Sequence, residues 1–578
     1  MKPRNLKRLL AAALAGPIII ASSAVAANAE TTPEPTPFDD VADIEPTYDI
    51  DNAITEFVYV QSDMDSDGDG RPDRIGVAIM RPAETDHGAK VPVIAQPSPY
   101  YNLSSSSMSA QSDFHIPLAD GFEPRHFSSW YGNYFVPRGY AYIEPEMQGT
   151  ASSEGCPTTG GVEDTQSVTA VVDWLAGRTT ATYADGTEAV ADWAEPAVGM
   201  IGGSYNGTLP NAVAATGIEE VKAIVPVVAI SSWYDYTRAE GVGLRGWDRA
   251  YVRYLADFVA NPRARSLCQD VWNQMVADAD DATHDYNRFW DERNYRTDAD
   301  QVQAAVLHVH GQNDHNVKTT HTGRWWEALA QHDVDQKLYL HPGAHSEPPN
   351  TGPYRQLVHN WFDHFLKGID NGVLDGPDVI VDRASGTDHY DHWPNPAGSD
   401  VTYYLGEDAR GVGTLSTNPS SWGTHRVTAN PPNESTMLSN PTQLRNDRRV
   451  FLSEPMRGAQ QLSGIVDIDV TFSSATSSAA LGAVLVSYDP AGNATFITRN
   501  GADGKNYQSL WNQQALTPGA TYEMNFELQP RDVIIPDGHR IGVVLVMNHP
   551  TLTTFDSNSR TVDFHLGASA LNLHLTPA

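Results

Sequence analysis

Apolar residues in the first two thirds of the chain come in short unbroken runs: ITEFVYV (54–60), RIGVAIM (74–80), VPVIAQ (91–96), YAYIEPE (140–146), AVGMIGG (197–203), VKAIVPVVAI (221–230), AAVLHVHG (304–311) and KLYLHPG (337–343). A strand covered by helices on both faces presents no polar side, so several of these runs predict buried strands of a mostly parallel sheet. Segments of helical spacing lie between them, such as DTQSVTAVVDWLAG (164–177) and GRWWEALAQHD (323–333). The alternation of the two patterns predicts an α/β fold.

Residues 231–302 break this rhythm. They are rich in Trp, Tyr, Arg and Asp at helical spacing, as in RAYVRYLADFVA (249–260). The segment is predicted to be a helical cap inserted into the core, which it divides into residues 47–230 and 303–372. After Lys367 the texture changes again, to short alternating stretches such as VTYYL, GIVDIDVTF and TYEMNFEL, separated by Pro, Gly and Asn. This predicts a C-terminal all-β sandwich over residues 373–578.

The first residues follow a third pattern. Lys2, Arg4, Lys7 and Arg8 precede an apolar stretch from 9 to 25, and Ala27-Asn28-Ala29 has the small-x-small form that a signal peptidase cleaves. Residues 1–29 are therefore expected to be an export signal and the mature protein to be secreted. Pro17 and Ser22-Ser23 interrupt the stretch, which argues against a membrane anchor. Residues 30–46 are Pro-, Thr- and acid-rich with little to bury, and are expected to form a disordered tether.

Charge narrows the partners. The chain carries 38 basic and 72 acidic residues, a net charge of −34, and loss of the signal removes four basic residues and no acidic one. Such an excess opposes nucleic acid and anionic membranes. Only two cysteines are present, Cys156 and Cys268, and export to an oxidising compartment predicts a disulfide between them. The oligomeric state is left open, with a homo-oligomer compatible with the sequence.

Candidate chemistry centres on VGMIGGSYNG (198–207), in which an apolar run ends at Ser204 and a helix-compatible stretch follows. Small neighbours allow a strand to turn sharply into a helix and hold a serine hydroxyl out at the helix start, the geometry of a nucleophile elbow. In such folds an acid and a base follow in the order Ser, Asp, His, each in a loop after a strand. AAVLHVHG runs into Gln312-Asn313-Asp314-His315, and KLYLHPG into Ala344-His345-Ser346, so Asp314 and His345 are the candidates. His310, His315 and His341 are rivals, and the first and last sit in or at the ends of strands, where packing is expected. The oxyanion requires two donors: one is the Tyr205 N–H, and the other should come from the loop Pro97-Ser98-Pro99-Tyr100-Tyr101, where spacing does not choose.

Taken together, Ser-Pro-Tyr-Tyr (98–101), Gly-Gly-Ser-Tyr-Asn-Gly (202–207), Ser-Ser-Trp-Tyr-Asp-Tyr (231–236), His-Gly-Gln-Asn-Asp-His-Asn-Val (310–317) and Gly-Ala-His-Ser around His345 resemble the X-prolyl dipeptidyl peptidase and cocaine esterase family of serine hydrolases, from about residue 48 to the end. The resemblance implies an α/β-hydrolase core, a helical cap and a C-terminal jelly roll. It implies that the Tyr100 phenol is the second oxyanion donor and that Trp233 and Tyr236 line the pocket for the residue before the scissile bond. Peptides with a penultimate proline are the implied substrates, and no cofactor is needed for catalysis. A free substrate amine would require a carboxylate, for which Asp235 and Glu240 are candidates, Glu240 being preferred. Two positions depart from the family pattern: Glu146-Met147-Gln148-Gly149-Thr150-Ala151 lacks the usual arginine, and Asn206 replaces an apolar residue. The alternatives are an esterase or acylase with the same triad, and a noncatalytic extracellular protein that binds glycans through its sandwich.

Apart from these motifs, Asp65, Asp67, Asp69 and Asp73 occupy positions one, three, five and nine of a Ca²⁺-loop pattern, with Gly70 at six. The twelfth position is Gly76, so the bidentate Glu of an EF-hand is missing, and a weak structural Ca²⁺ site is the expectation.

Overall fold

The structure, a computed structural model, describes residues 44–101, 115–118, 121–124, 127, 130–247, 249–419 and 422–578. The expected export signal, and the tether up to residue 43, lie outside the described residues.

Each of the eight apolar runs forms a strand: β1 (Ile54–Gln61), β2 (Arg74–Arg81), β3 (Val91–Ala95), β4 (Ala141–Pro145), β5 (Ala194–Gly203), β6 (Val221–Val227), β7 (Ala305–Gly311) and β8 (Gln336–His341). They lie in the order β1-β2-β4-β3-β5-β6-β7-β8. The β1/β2 and β2/β4 pairs are antiparallel and every later pair is parallel. Strands β3, β4 and β7 are buried at every position, which is why their sequences do not alternate. Parallel neighbours need crossovers, and helices Val162–Leu175, Tyr205–Ala214 and Thr320–Ala330 supply those from β4 to β5, β5 to β6 and β7 to β8. The loops that leave β5, β7 and β8 therefore open at one edge of the sheet, the usual place for a ligand crevice in parallel α/β sheets.

Between β6 and β7 lies the cap. Its longer helices are Tyr251–Val259, Pro262–Leu267 and Gln269–Ala279, and the sequence pattern did not reveal its small hairpin, Arg238–Ala239 against Val242–Gly243. Cys156, beyond β4, and Cys268, at the start of helix Gln269–Ala279, form a disulfide that ties cap to core.

The C-terminal region is all β. Strands Gln460–Ser474 and Thr521–Ile535 pair antiparallel along most of their length, over a separate apolar core that includes Leu405, Phe451, Ile468, Phe472, Leu545 and Phe564. Just after residue 373, the chain first adds to the core sheet before it enters the sandwich strands. Strands β9 (Val379–Arg383) and β10 (Gly386–Tyr390) form a hairpin that extends the core sheet, with β9 parallel to β8. A short run reads alike whichever sheet it joins, and its partner is set by long-range packing. Among the described residues no helix is long and apolar enough to cross a membrane.

Candidate active site

Ser204 stands where β5 ends and helix Tyr205–Ala214 begins, with φ 59° and ψ −125°. The left-handed φ of a non-glycine residue is a strained conformation that tight surroundings must enforce. The glycines nearby show how. A Cβ on Gly202 would lie 2.6 Å from the Asn206 carbonyl oxygen, and one on Gly207 would lie 2.4 Å from the Gly202 carbonyl oxygen. Ser204 N–H donates to the Val227 carbonyl at 2.9 Å, which fixes the turn to β6. The first N–H groups of a helix have no acceptor within it, so Tyr205 N–H is a donor available beside the serine.

Asp314 and His345 meet in the loops after β7 and β8. His345 Nδ1 lies 2.7 Å from Asp314 Oδ2, and Asp314 Oδ1 accepts the Asn316 and Val317 N–H groups at 2.8 and 3.0 Å. Asp314 is fully buried, whereas the His345 side chain is 26% exposed, so the imidazole presents its far edge outward. Close packing joins the two loops: a Cβ on Gly311 would lie 2.0 Å from the Ala344 carbonyl oxygen. The rival histidines serve packing. His310 is fully buried, its Nε2 bonds the Val317 carbonyl at 2.9 Å, and burial pushes its imidazole down to about 4. His341 accepts the Gly343 N–H, and His315 rests edge-on against Phe496 of the sandwich.

The tyrosine pair that spacing could not separate is separated by its hydrogen bonds. Tyr101 donates its phenol to the Gln96 carbonyl at 2.6 Å. Tyr100 is buried too, its phenol has no hydrogen-bond partner among the described residues, and burial raises its pKa well above the usual range, so it remains a proton donor. From Tyr100 a wall of aromatic rings leads into the cap: Tyr100 to Tyr205 at 6.2 Å between centres, Tyr205 to Trp233 at 4.8 Å, and Trp233 to Tyr236 at 5.6 Å. Tyr236 donates to Asn316 Oδ1 at 2.8 Å, two residues from Asp314. Flat apolar faces of this kind suit a proline ring.

Neither carboxylate expected for a substrate amine is free. Asp235 lies 2.6 Å from Arg296 and 3.1 Å from Arg324, and these guanidinium groups hold its carboxyl well below the usual range against the opposing effect of burial. Glu240 lies 2.6 Å from Arg324, which also binds Glu527 of the sandwich at 2.7 Å. Both acids therefore help to join cap, core and sandwich, a role that their position in the sequence did not reveal.

Comparison with known proteins agrees with this geometry. Residues 67–347 match the model of the X-Pro dipeptidyl-peptidase S15 family, and residues 371–577 that of the X-Pro dipeptidyl-peptidase C-terminal non-catalytic domain. A Bacillus anthracis protein provisionally named Xaa-Pro dipeptidyl-peptidase is 39% identical over 87% of this chain and 84% of its own length. The chain belongs to the S15 family. A Xaa-Pro dipeptidyl-peptidase of Lacticaseibacillus casei is 28% identical over 87% of this S15 chain and 74% of its own length. In fold, a CocE/NonD family hydrolase from Staphylococcus aureus superposes with a TM-score of 0.69 at 15% identity over 91% of this chain and 94% of its own. An α-amino acid ester hydrolase superposes with a TM-score of 0.62 at 16% identity, over 94% and 99% of the two chains.

In this S15 serine peptidase the residue missed by sequence reasoning is Asp164. It is fully buried beneath the elbow, accepts the Tyr205 phenol at 2.6 Å and the Gly160 and Thr158 N–H groups at 2.5 and 2.9 Å. Gln148, which stands where the family pattern has arginine, donates to Asp164 at 2.8 Å and to the Cys156 carbonyl at 3.2 Å. The acidic loop lies between β1 and β2, where Ser66 Oγ accepts the Cys156 N–H at 2.9 Å. Asp65, Asp67 and Asp73 each place one oxygen within 4.8 Å of the others, a spacing that fits a cation, while Arg263 pairs with both Asp67 and Asp69, Arg71 pairs with Asp69, and Ser66 donates to Asp73.

Proposed function

We propose that this serine peptidase releases Xaa-Pro dipeptides from peptide N-termini through an acyl-enzyme on Ser204. The observation that carries the reading is the Asp314–His345 bond, formed at the same sheet edge as the strained Ser204 elbow. His345 takes the hydroxyl proton as Ser204 Oγ attacks the carbonyl carbon, and Asp314 holds the imidazole tautomer and stabilises the imidazolium. Tyr205 N–H and the Tyr100 phenol donate to the oxyanion. The imidazolium then protonates the departing amine, and water activated by His345 releases the dipeptide and restores Ser204. The wall of Trp233 and Tyr236 receives the proline.

The enzyme is secreted in this reading: the N-terminal pattern is that of an export signal, and the Cys156–Cys268 disulfide suits an oxidising compartment. Asp65, Asp67 and Asp73 would hold a structural Ca²⁺ with no part in the reaction.

A substrate panel tests the activity. Ala-Pro arylamides with a free amine should be cleaved far faster than their N-acetylated forms or simple aryl esters, and Ser204→Ala should lose nearly all turnover with its fold intact. Equal rates on free and acetylated substrates, or a preference for esters without proline, would replace the peptidase by an esterase.

A further inference from the structure

The loop that carries Asp314 is held from two sides. On one side it is zipped to the loop that carries His345: Gln312 N–H donates to the His341 carbonyl at 2.8 Å, Asn313 N–H to the Gly343 carbonyl at 2.9 Å, and Asn313 Nδ2 to the Pro342 carbonyl at 2.9 Å. On the other side stands the sandwich. Asp532 N–H donates to Gln312 Oε1 at 2.8 Å, across 220 residues of sequence, and Gln312 is buried at this contact. Gln312 thus belongs to both contacts, since its backbone reaches the His345 loop and its side chain reaches strand Thr521–Ile535.

The residue that supplies this N–H is itself fixed from both bodies. Asp532 is fully buried, and its carboxylate accepts Gln461 Nε2 at 2.8 Å and the Ser463 hydroxyl at 2.7 Å, both from strand Gln460–Ser474. From the core sheet, Arg383 of β9 pairs with the same carboxylate and donates Nη1 to the Asp532 carbonyl at 2.7 Å, and Tyr390 of β10 donates its phenol. A side chain with this many donors cannot swing, so the N–H beside it keeps one direction. A buried donor left without its acceptor carries its full desolvation cost, so the fold resists any movement of Gln312 away from Asp532. A neighbouring contact joins the same two bodies, Thr319 Oγ1 to the Pro530 carbonyl at 2.7 Å, but it lies beyond Val317, where the bonds from the backbone to Asp314 end.

We propose that Gln312 is a positioning residue, through which the strand of Asp532 holds the two triad loops together and sets the bond between Asp314 and His345. The inference rests on the triad of Ser204, Asp314 and His345, and it gives the C-terminal region a part in the reaction through a residue that need not touch substrate. A catalytic base must lie within about 0.5 Å of its productive place, and a shift of about 1 Å can cost about a hundredfold in rate. Gln312 stands two residues before Asp314 in the chain, too close for a displacement to be absorbed before it reaches the acid.

The test compares Gln312→Met, which keeps the length of the side chain but loses the acceptor, with Thr319→Val, which loses the neighbouring tie and leaves Gln312 alone. In Gln312→Met, kcat on an Ala-Pro arylamide should fall by about ten- to a hundredfold with KM within about twofold of the parent's, and labelling of Ser204 by a fluorophosphonate should slow by a similar factor. Thr319→Val should melt below the parent yet keep the parent's kcat and labelling rate, both read well below melting. A Gln312→Met variant that reacts at the parent's rate, or a Thr319→Val variant that slows as much, would overturn the proposal and reduce the contact to docking. Labelling also separates this inference from the wider one. A parent that is labelled but spares Ala-Pro substrates loses the peptidase reading, and the two labelling rates still decide the role of Gln312; an unlabelled parent loses the triad and that role with it. If Gln312→Met does not fold, Gln312→Asn, too short to reach Asp532, takes its place with the same readouts.

Discussion

The core sheet and the sandwich carry their chemistry in different ways. In the core, each side chain of the proposed triad sits at the end of its own strand: Ser204 after β5, Asp314 after β7 and His345 after β8. A local motif and a strand end are enough to place each one. The sandwich contributes Glu527 from within a strand, and it reaches Arg324, 203 residues earlier, only because the two bodies pack together. Parallel strands collect their loops at one edge by topology. An antiparallel sandwich has no such rule, so what its faces touch depends on docking.

The sharpest way to break that contrast is at the tyrosine pair. If the local arrangement of the core places the oxyanion donor, Tyr100→Phe should lower kcat/KM by about ten- to a thousandfold, whereas Tyr101→Phe, which loses the bond that engages its phenol with the Gln96 carbonyl, should keep its activity. Equal losses in the two variants would mean that Tyr100 is a packing residue. Steady-state kinetics on an Ala-Pro arylamide reads the difference.

A second test asks how far the cap depends on its covalent tie to the core. The disulfide spans a sequence separation of 112 residues, so replacing Cys156 and Cys268 by Ala should cost about 2–4 kcal/mol of stability. Denaturant unfolding measures it, and an unchanged midpoint would show that packing alone seats the cap.

The third concerns the contact between sandwich and cap. Asp503 N–H donates to the Glu240 carbonyl at 2.9 Å, and burial pushes the Asp503 carboxyl up to about 6 from 3.8. Its ionised form is disfavoured in the fold, so stability falls as pH rises from 3.8 to 6 and stays reduced above. Asp503→Asn, neutral at every pH, should match the parent near pH 4 and exceed it by about 2–3 kcal/mol at pH 7. A pH-independent difference would remove the titration of Asp503 from the balance.

The smallest effect is expected at the acidic loop. Chelation should lower the Tm by a few degrees with no change in kcat once temperature is held well below melting. Superimposable melts with chelator and with excess Ca²⁺ would make Asp65, Asp67 and Asp73 a solvated turn.

Strand and helix periodicity, the GGSYNG elbow and the loops after the two late strands were legible in the sequence because each depends on neighbours a few residues away. Hydrophobic runs report burial directly, and a serine squeezed between glycines reports a tight turn. That the hairpin of β9 and β10 pairs with the core sheet was not legible, because a short alternating segment carries no mark of the sheet it will join. The hydrogen bond that engages the Tyr101 phenol, the ion pairs that occupy Asp235 and Glu240 and the Gln148–Asp164 brace under Tyr205 were decided by tertiary structure alone. Each depends on which charge or hydrogen-bond partner arrives from a distant part of the chain, and the cost of burying a polar group is set by that partner rather than by the residue itself.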